Sequence, residues 1–229
     1  MGLISDNNET HYREEIHHLA RWCSDNNLVL NTAKTKEVIV DYRTTRRTAH
    51  ALLLIQGEVV ERVDNIKFLG IHITADLTWA LNTTHLVKKA QQRLFFLRKL
   101  RKAGLPSRLM TNFYRSTIES ILCLGMTVWY SSCTAQDRKD LARVVRTAQR
   151  IVGSPLPDLD SVYAGRLQRK ASSIATDPTH PGHRLFSPLP SGRRYRALKA
   201  RTNRLRNSFF PRAVASINPP ALTYTPAPN

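Results

Sequence analysis

Thr84-His-Leu-Val-Lys-Lys-Ala-Gln-Gln-Arg-Leu-Phe-Phe-Leu-Arg-Lys-Leu-Arg-Lys-Ala-Gly104 is the stretch on which the reading of this chain turns. Leu86, Ala90, Leu94, Leu97 and Leu100 recur at three- and four-residue spacing, so a helix would line them up on one face. Gly104 supplies the stop. Interleaved with that stripe are Lys88, Lys89, Arg93, Arg98, Lys99, Arg101 and Lys102. With Arg108 and Arg115 they make nine cations in a run that contains no acid. Solvated helix faces ordinarily mix signs, because opposite charges four residues apart stabilise them. A one-signed face opposite an apolar stripe suits a polyanion with regularly spaced phosphates.

Working outward, the helical period continues downstream. Pro106 fits the first turn of a second helix, with Leu109, Phe113, Ile118, Ile121 and Leu122 expected inward. Thr134-Ala-Gln-Asp137 reads as a capping box that opens a third helix. Leu141, Val144, Val145, Ala148 and Ile151 carry that helix to a stop at Gly153. A fourth helix is expected over residues 160–175. Upstream the pattern differs. Residues 10–26 read as a helix through Tyr12, Ile16, Leu19, Ala20 and Cys23. Residues 36–42 read as a strand, and a basic connector with Arg43, Arg46 and Arg47 follows. Gln56-Gly57 is a hairpin signal between residues 52–55 and 58–62. Residues 66–74 read as a closing strand, with Gly70 marking a bulge or a close backbone approach.

The fold class expected is α+β, a small antiparallel β region followed by a basic helical bundle. The expected divisions are 1–80, 81–176, a basic Pro-rich segment 177–217 that is helical over 194–207, and a disordered tail 218–229.

Lys and Arg number 35 against 17 Asp and Glu, a net charge of +18, and the imbalance is local. Besides the run at 88–115, residues 161–212 hold twelve cations, with Asp177 the lone acid. Arg193, Arg194 and Arg196 from that segment join the seven cations of residues 88–102 as expected backbone-phosphate contacts. The three cysteines are scattered, which excludes a disulfide scaffold or a Cys-rich zinc site and suits a reducing compartment. No apolar run reaches membrane-spanning length and no signal peptide is evident. An intracellular chain, nuclear or cytoplasmic, without a membrane partner is therefore expected.

Catalytic signatures are missing. There is no phosphate-binding Gly-rich loop, nucleophile elbow, H-E-x-x-H or Asp-Asp pair. Asp158 and Asp160 sit at a helix start, where acids have an electrostatic reason to be. His180 and His183 lack a neighbouring carboxylate or thiol and read as surface residues. No catalytic residue, metal or cofactor is expected, and the chain is not expected to be an enzyme.

Residues 22–41, WCSDNNLVLNTAKTKEVIVD, resemble the region after the catalytic strand of non-LTR (LINE-type) retrotransposon reverse transcriptases, those of fish genomes above all. In that likeness Leu28-Val-Leu-Asn-Thr-Ala-Lys34-Thr35 corresponds to the fourth palm motif, which implies that Lys34 lies near nucleotide phosphates. Lys67-Phe-Leu-Gly-Ile71 is similar to the primer grip, implying that Phe68, Leu69 and Gly70 form a hairpin seating a primer end. Core packing is nonetheless the expectation for at least one of Phe68 and Leu69. Residues 81–153 then resemble the thumb. The resemblance implies RNA or an RNA–DNA hybrid as partner, together with the remaining palm and fingers. It also implies that the catalytic aspartates belong ahead of Met1, so polymerisation is not expected.

Sequences of this type also resemble what is catalogued as the N-terminal region of the alkylation-repair dioxygenase and methyltransferase homologue acting on transfer RNA. An iron dioxygenase needs H-x-D, and no histidine here has Asp two residues on. A methyltransferase needs a Gly-rich turn after a strand, which is absent too. The leading expectation is a non-specific nucleic-acid-binding module. A transfer-RNA modification protein and a retroelement remnant without function are the alternatives.

Overall fold

The computed structural model describes residues 2, 4–42 and 50–218. The expected basic connector at Arg43, Arg46 and Arg47 lies outside the described residues, as does all of the expected tail except Asn218. The chain divides into two compact units, Met1–Thr78 and Trp79–Asn229. The fold is α+β.

In the first unit, α1 (Thr10–Asp25) lays Tyr12, Ile16 and Ala20 against buried Leu53, Ile55 and Val60. Beyond it a short 3-10 turn, Thr32–Lys34, is capped by the Asn31 side chain, which accepts from the Lys34 amide at 3.0 Å. β1 (Lys36–Glu37) is much shorter than the strand expected over 36–42. β2 (Leu54–Ile55) and β3 (Glu58–Val59) form the hairpin expected at Gln56-Gly57. Both turn residues take positive φ, 53° and 84°, the two-residue turn whose twist matches its strands.

β4 (Glu61–Arg62) pairs with β1 in parallel, so the β region is not wholly antiparallel. β5 (Asn65–Phe68) and β6 (Ile71–Thr74) replace the single strand expected over 66–74. Leu69 (φ 47°) and Gly70 (φ 86°) turn the chain between them, so Gly70 serves a hairpin turn and not a bulge. The described strands form three separate two-stranded ladders.

Polar contacts hold this small unit together, since its buried apolar cluster is slight. The Glu37 carboxylate is 9% exposed and accepts from Arg62 Nε at 2.8 Å and from the Tyr12 hydroxyl at 3.0 Å. Arg62 also donates to the carbonyls of His50 and Ala51. Burial and the adjacent Glu37 push the Tyr12 phenol up to about 12, so it remains a donor. Glu9 bridges Arg13 at 2.7 Å and His50 Nδ1 at 2.6 Å, and these partners hold its carboxyl below the usual range.

The second unit is helical. α2 (Ala80–Lys102) packs against α3 (Ser107–Tyr114), α4 (Ser120–Leu122) and, most extensively, a long helix over residues 135–152. A π-helical turn, Arg115–Glu119, links α3 to α4 and keeps Met110, Tyr114, Ile118 and Leu122 all buried. Leu109, expected inward, is exposed, because the inward row runs through Met110 and Tyr114. Gly125, left-handed at φ 56°, reverses the chain into α5 (Met126–Trp129). Trp129 is fully buried and donates its indole N–H to the Leu124 carbonyl at 2.8 Å.

α6 (Ala135–Val152) is that long helix. It starts at the expected capping box and ends at left-handed Gly153, φ 76°. Asp137 does double duty. It completes the box with Thr134 and accepts from Thr83 Oγ1 of α2 at 2.6 Å. α7 (Leu159–Thr176) opens on Asp158, which accepts from the Ser161 amide at 2.7 Å.

Residues 194–207 do not form the expected helix. Only α8 (Asn203–Arg206) is helical there, and α9 (Phe209–Ile217) packs on α7. Pro211 falls in the first turn of α9, where its missing N–H is harmless.

Candidate nucleic-acid interface

The geometry of α2 follows from its sequence. Leu86, Ala90, Leu94 and Leu97 are buried, and Lys88, Lys89, Arg93, Arg98, Lys99, Arg101 and Lys102 are all exposed. None of these seven pairs with a carboxylate among the described residues, where the ion pairs formed belong to other cations. The last turn is cationic through Lys99, Arg101 and Lys102, where the helix dipole favours positive charge. Two phenyl rings share the outward side. Phe95 is 53% and Phe96 48% exposed, and Lys99 Nζ stands 5.4 Å from the Phe95 ring centre.

A second cationic row escapes a sequence reading that follows only the apolar residues of α6. Lys139, Arg143, Arg146 and Arg150 are spaced four, three and four apart, which is one helical stripe. Lys139, Arg143, Arg146 and Arg150 are all exposed. Of these Arg143 is tied to Asp140 at 2.8 Å. A groove of about 350 Å³ between α2 and α6 is lined by Gln91, Leu94, Arg98, Arg143, Val144 and Thr147. Arg98 and Arg143 thus border one depression.

Other cations are structural. Arg138 donates to Asp160 at 2.9 Å and to the carbonyls of Tyr130 and Ser131, and its guanidinium lies 4.6 Å from the Tyr130 ring centre. Arg166 donates to the Cys123 carbonyl at 3.1 Å. Charge on these residues is spent on holding the fold.

Arg193, Arg194 and Arg196 lie on a loop, and the helix expected from residue 194 does not begin there. The loop closes through Leu189 N–H to the Arg194 carbonyl (2.7 Å) and Arg196 N–H to the Ser187 carbonyl (2.8 Å). It packs on Phe186, whose ring is buried beside those of Tyr195 and Phe210. Arg193 and Arg196 are exposed, and Arg194 is half-buried.

Lys34, Phe68, Leu69 and Gly70 belong to the first unit. Lys34 is exposed at the end of its 3-10 turn. Phe68 (57%) and Leu69 (80%) are both exposed at the β5–β6 tip, so neither takes the core role expected of at least one of them. A two-stranded ladder has no further strand beside its turn to cover these side chains.

The cysteines of the helical unit and the two loop histidines are engaged by the fold. Burial pushes the Cys123 thiol to about 11 and Cys133 to about 12, leaving little thiolate at neutral pH. His180 Nδ1 accepts from the Gly182 amide at 3.0 Å, and His183 Nδ1 meets the Ile174 carbonyl at 3.1 Å. Among the described residues no three of His, Cys, Asp and Glu lie close enough to hold a metal ion. No described helix is long and apolar enough to cross a membrane.

No curated protein and no solved structure matches the chain. A family model does match residues 79–120, that of the alkylated DNA repair protein alkB homolog 8, N-terminal. The matched stretch begins at Trp79, the N-cap of α2, and runs through α3 to Ser120, so the chain is similar to that family across the helix that carries these seven cations.

Proposed function

We propose that the helical unit is a nucleic-acid-holding module that grips RNA or an RNA–DNA hybrid by its phosphates, without base-specific contacts. The observation that carries this reading is the set of seven exposed cations on α2 that have no carboxylate partner among the described residues, backed by the α6 row, whose Arg143 faces Arg98 across a groove. Such a surface gains affinity by releasing counterions from the polyanion it neutralises. The match of residues 79–120 to a family named for alkylated DNA repair supports nucleic acid as the partner, and favours a repair or modification context for the module. In that context the helical unit holds the polymer, and the chemistry belongs to other residues.

The test is equilibrium binding of labelled RNA, and of an RNA–DNA hybrid, across a salt series. The logarithm of affinity should fall linearly with the logarithm of salt concentration. A slope of roughly −4 to −6 is expected, about −0.7 to −0.9 for each phosphate engaged. A flat series overturns the proposal.

The β5–β6 hairpin favours a second reading, primer–template contact by a reverse-transcriptase-like palm edge and thumb, since the resemblance implies a hairpin at Phe68–Gly70. Its motifs are a sequence likeness. A preference for a recessed primer terminus over a blunt hybrid would support it, and equal binding of the two would remove it.

A further inference from the structure

We infer that Phe95 and Phe96 form a stacking platform for unpaired bases, so that the α2 face takes single-stranded nucleic acid in preference to duplex. The inference rests on the nucleic-acid reading above and names the form of polymer that the same face selects.

Both rings stand on the side of α2 away from its buried stripe, about half exposed, in a T-shaped pair with centres 5.6 Å apart and planes at 77°. Large apolar rings left in water at the middle of a helix whose core face is already complete gain nothing for the fold. Around them the helix surface is cationic. Lys88 and Lys99 lie seven residues before and four after Phe95, and Lys89 and Lys99 lie seven before and three after Phe96. Residues at these spacings share one side of the helix, and Lys88 to Lys99 spans about 16 Å along it.

Charge selects the occupant. A second copy of this chain would bring the same cations against these, and like charges across a two-fold contact repel. An anionic partner is required, and one with flat π surfaces uses the rings as well. Unpaired bases meet both conditions. Every base has a face that stacks on an aromatic ring, while its phosphate is left to a neighbouring ammonium or guanidinium group. In a duplex the base faces are already stacked on each other and the rings have nothing to engage.

The experiment uses the full chain, an oligouridylate and an RNA duplex of equal length. Binding is measured across salt for the wild type and for Phe95→Ala/Phe96→Ala. The double variant should lose about tenfold to a hundredfold affinity for the single strand, change less than about twofold on the duplex and keep its salt slope, because stacking releases no counterions. Helix content by circular dichroism should be unchanged, both rings being exposed. As a measurement independent of any variant, 2-aminopurine placed along the single strand should be quenched when the wild type binds.

Equal loss on both polymers, no loss on either, or unquenched 2-aminopurine overturns the platform while leaving phosphate binding standing. Failure of the wild type to bind either polymer overturns the underlying reading too. Binding to anionic vesicles that depends on both rings, with nucleic-acid affinity unaffected by their removal, assigns the face to a lipid surface and also overturns the platform.

Discussion

Neutralising Lys88, Lys89, Arg98 and Lys102 together, each to Gln, separates charge that binds from charge that folds. All four side chains are exposed and lack a carboxylate partner among the described residues, so their ordinary charge is available to a ligand. Stability should hardly change, since exposed substitutions away from special features stay within about 0.5 kcal/mol each. Binding should change greatly. If each cation neutralises one phosphate, the salt slope should become shallower by roughly 3, and affinity near physiological salt should fall about fivefold for each phosphate no longer neutralised. The combined reduction reaches several hundredfold. Fluorescence anisotropy with labelled RNA across a salt series reads slope and affinity together, and thermal denaturation confirms that the fold is kept. An unchanged slope with a correctly folded variant would refute the assignment of the α2 cations to phosphates.

Three further outcomes test other parts of the structure. Arg138→Gln removes an ion pair to Asp160 and two hydrogen bonds to carbonyls, so it should destabilise the helical unit by about 2 kcal/mol while leaving the salt slope unaltered; denaturant titration and the same binding series check both halves. Arg62→Ala removes the cation paired with the buried Glu37 carboxylate, leaving it the Tyr12 hydroxyl alone among its side-chain donors in the described residues, and removes the hydrogen bonds to the His50 and Ala51 carbonyls. A destabilisation of about 3 kcal/mol is expected, visible as faster hydrogen exchange in α1, and unchanged exchange would show that the pair carries no weight. Glu9 has its folded pKa held below its unfolded value near 4.5. Its stabilising contribution is therefore complete above that value and disappears as pH falls through the folded pKa. Acid titration of the wild type against Glu9→Gln should show a steeper decline below about pH 4.5 in the wild type.

How much of the molecule is legible without its structure depends on the range of the interactions involved. The α6 start can be read from Thr134 and Asp137, and its end from Gly153, because caps are made between residues three or four apart. The Gln56-Gly57 hairpin is legible for the same reason, a two-residue turn stating its own backbone demand. Leu69-Gly70 makes the same demand but by residue pattern alone reads as strand interior, since the flanking residues 66–74 look continuous, and only the resemblance implies the hairpin there. The parallel pairing of Lys36 with Glu61 cannot be read, because nothing local to either residue encodes a partner 25 positions away.

Charge behaves the same way at the candidate site. The sequence by itself determined that this chain carries a large one-signed excess, gathered on a helix with an apolar stripe, and that alone pointed to a polyanion. Only the tertiary structure decided which cations are available. It spends Arg138 and Arg166 on carbonyls, leaves Lys88 and Lys99 in solvent and aligns the α6 row beside Arg98. It also leaves Phe95 and Phe96 uncovered, although neighbouring Leu94 and Leu97 are buried. The physical reason is that helical spacing sets which residues share a face, whereas the packing of α6 against one side of α2 sets which faces remain open.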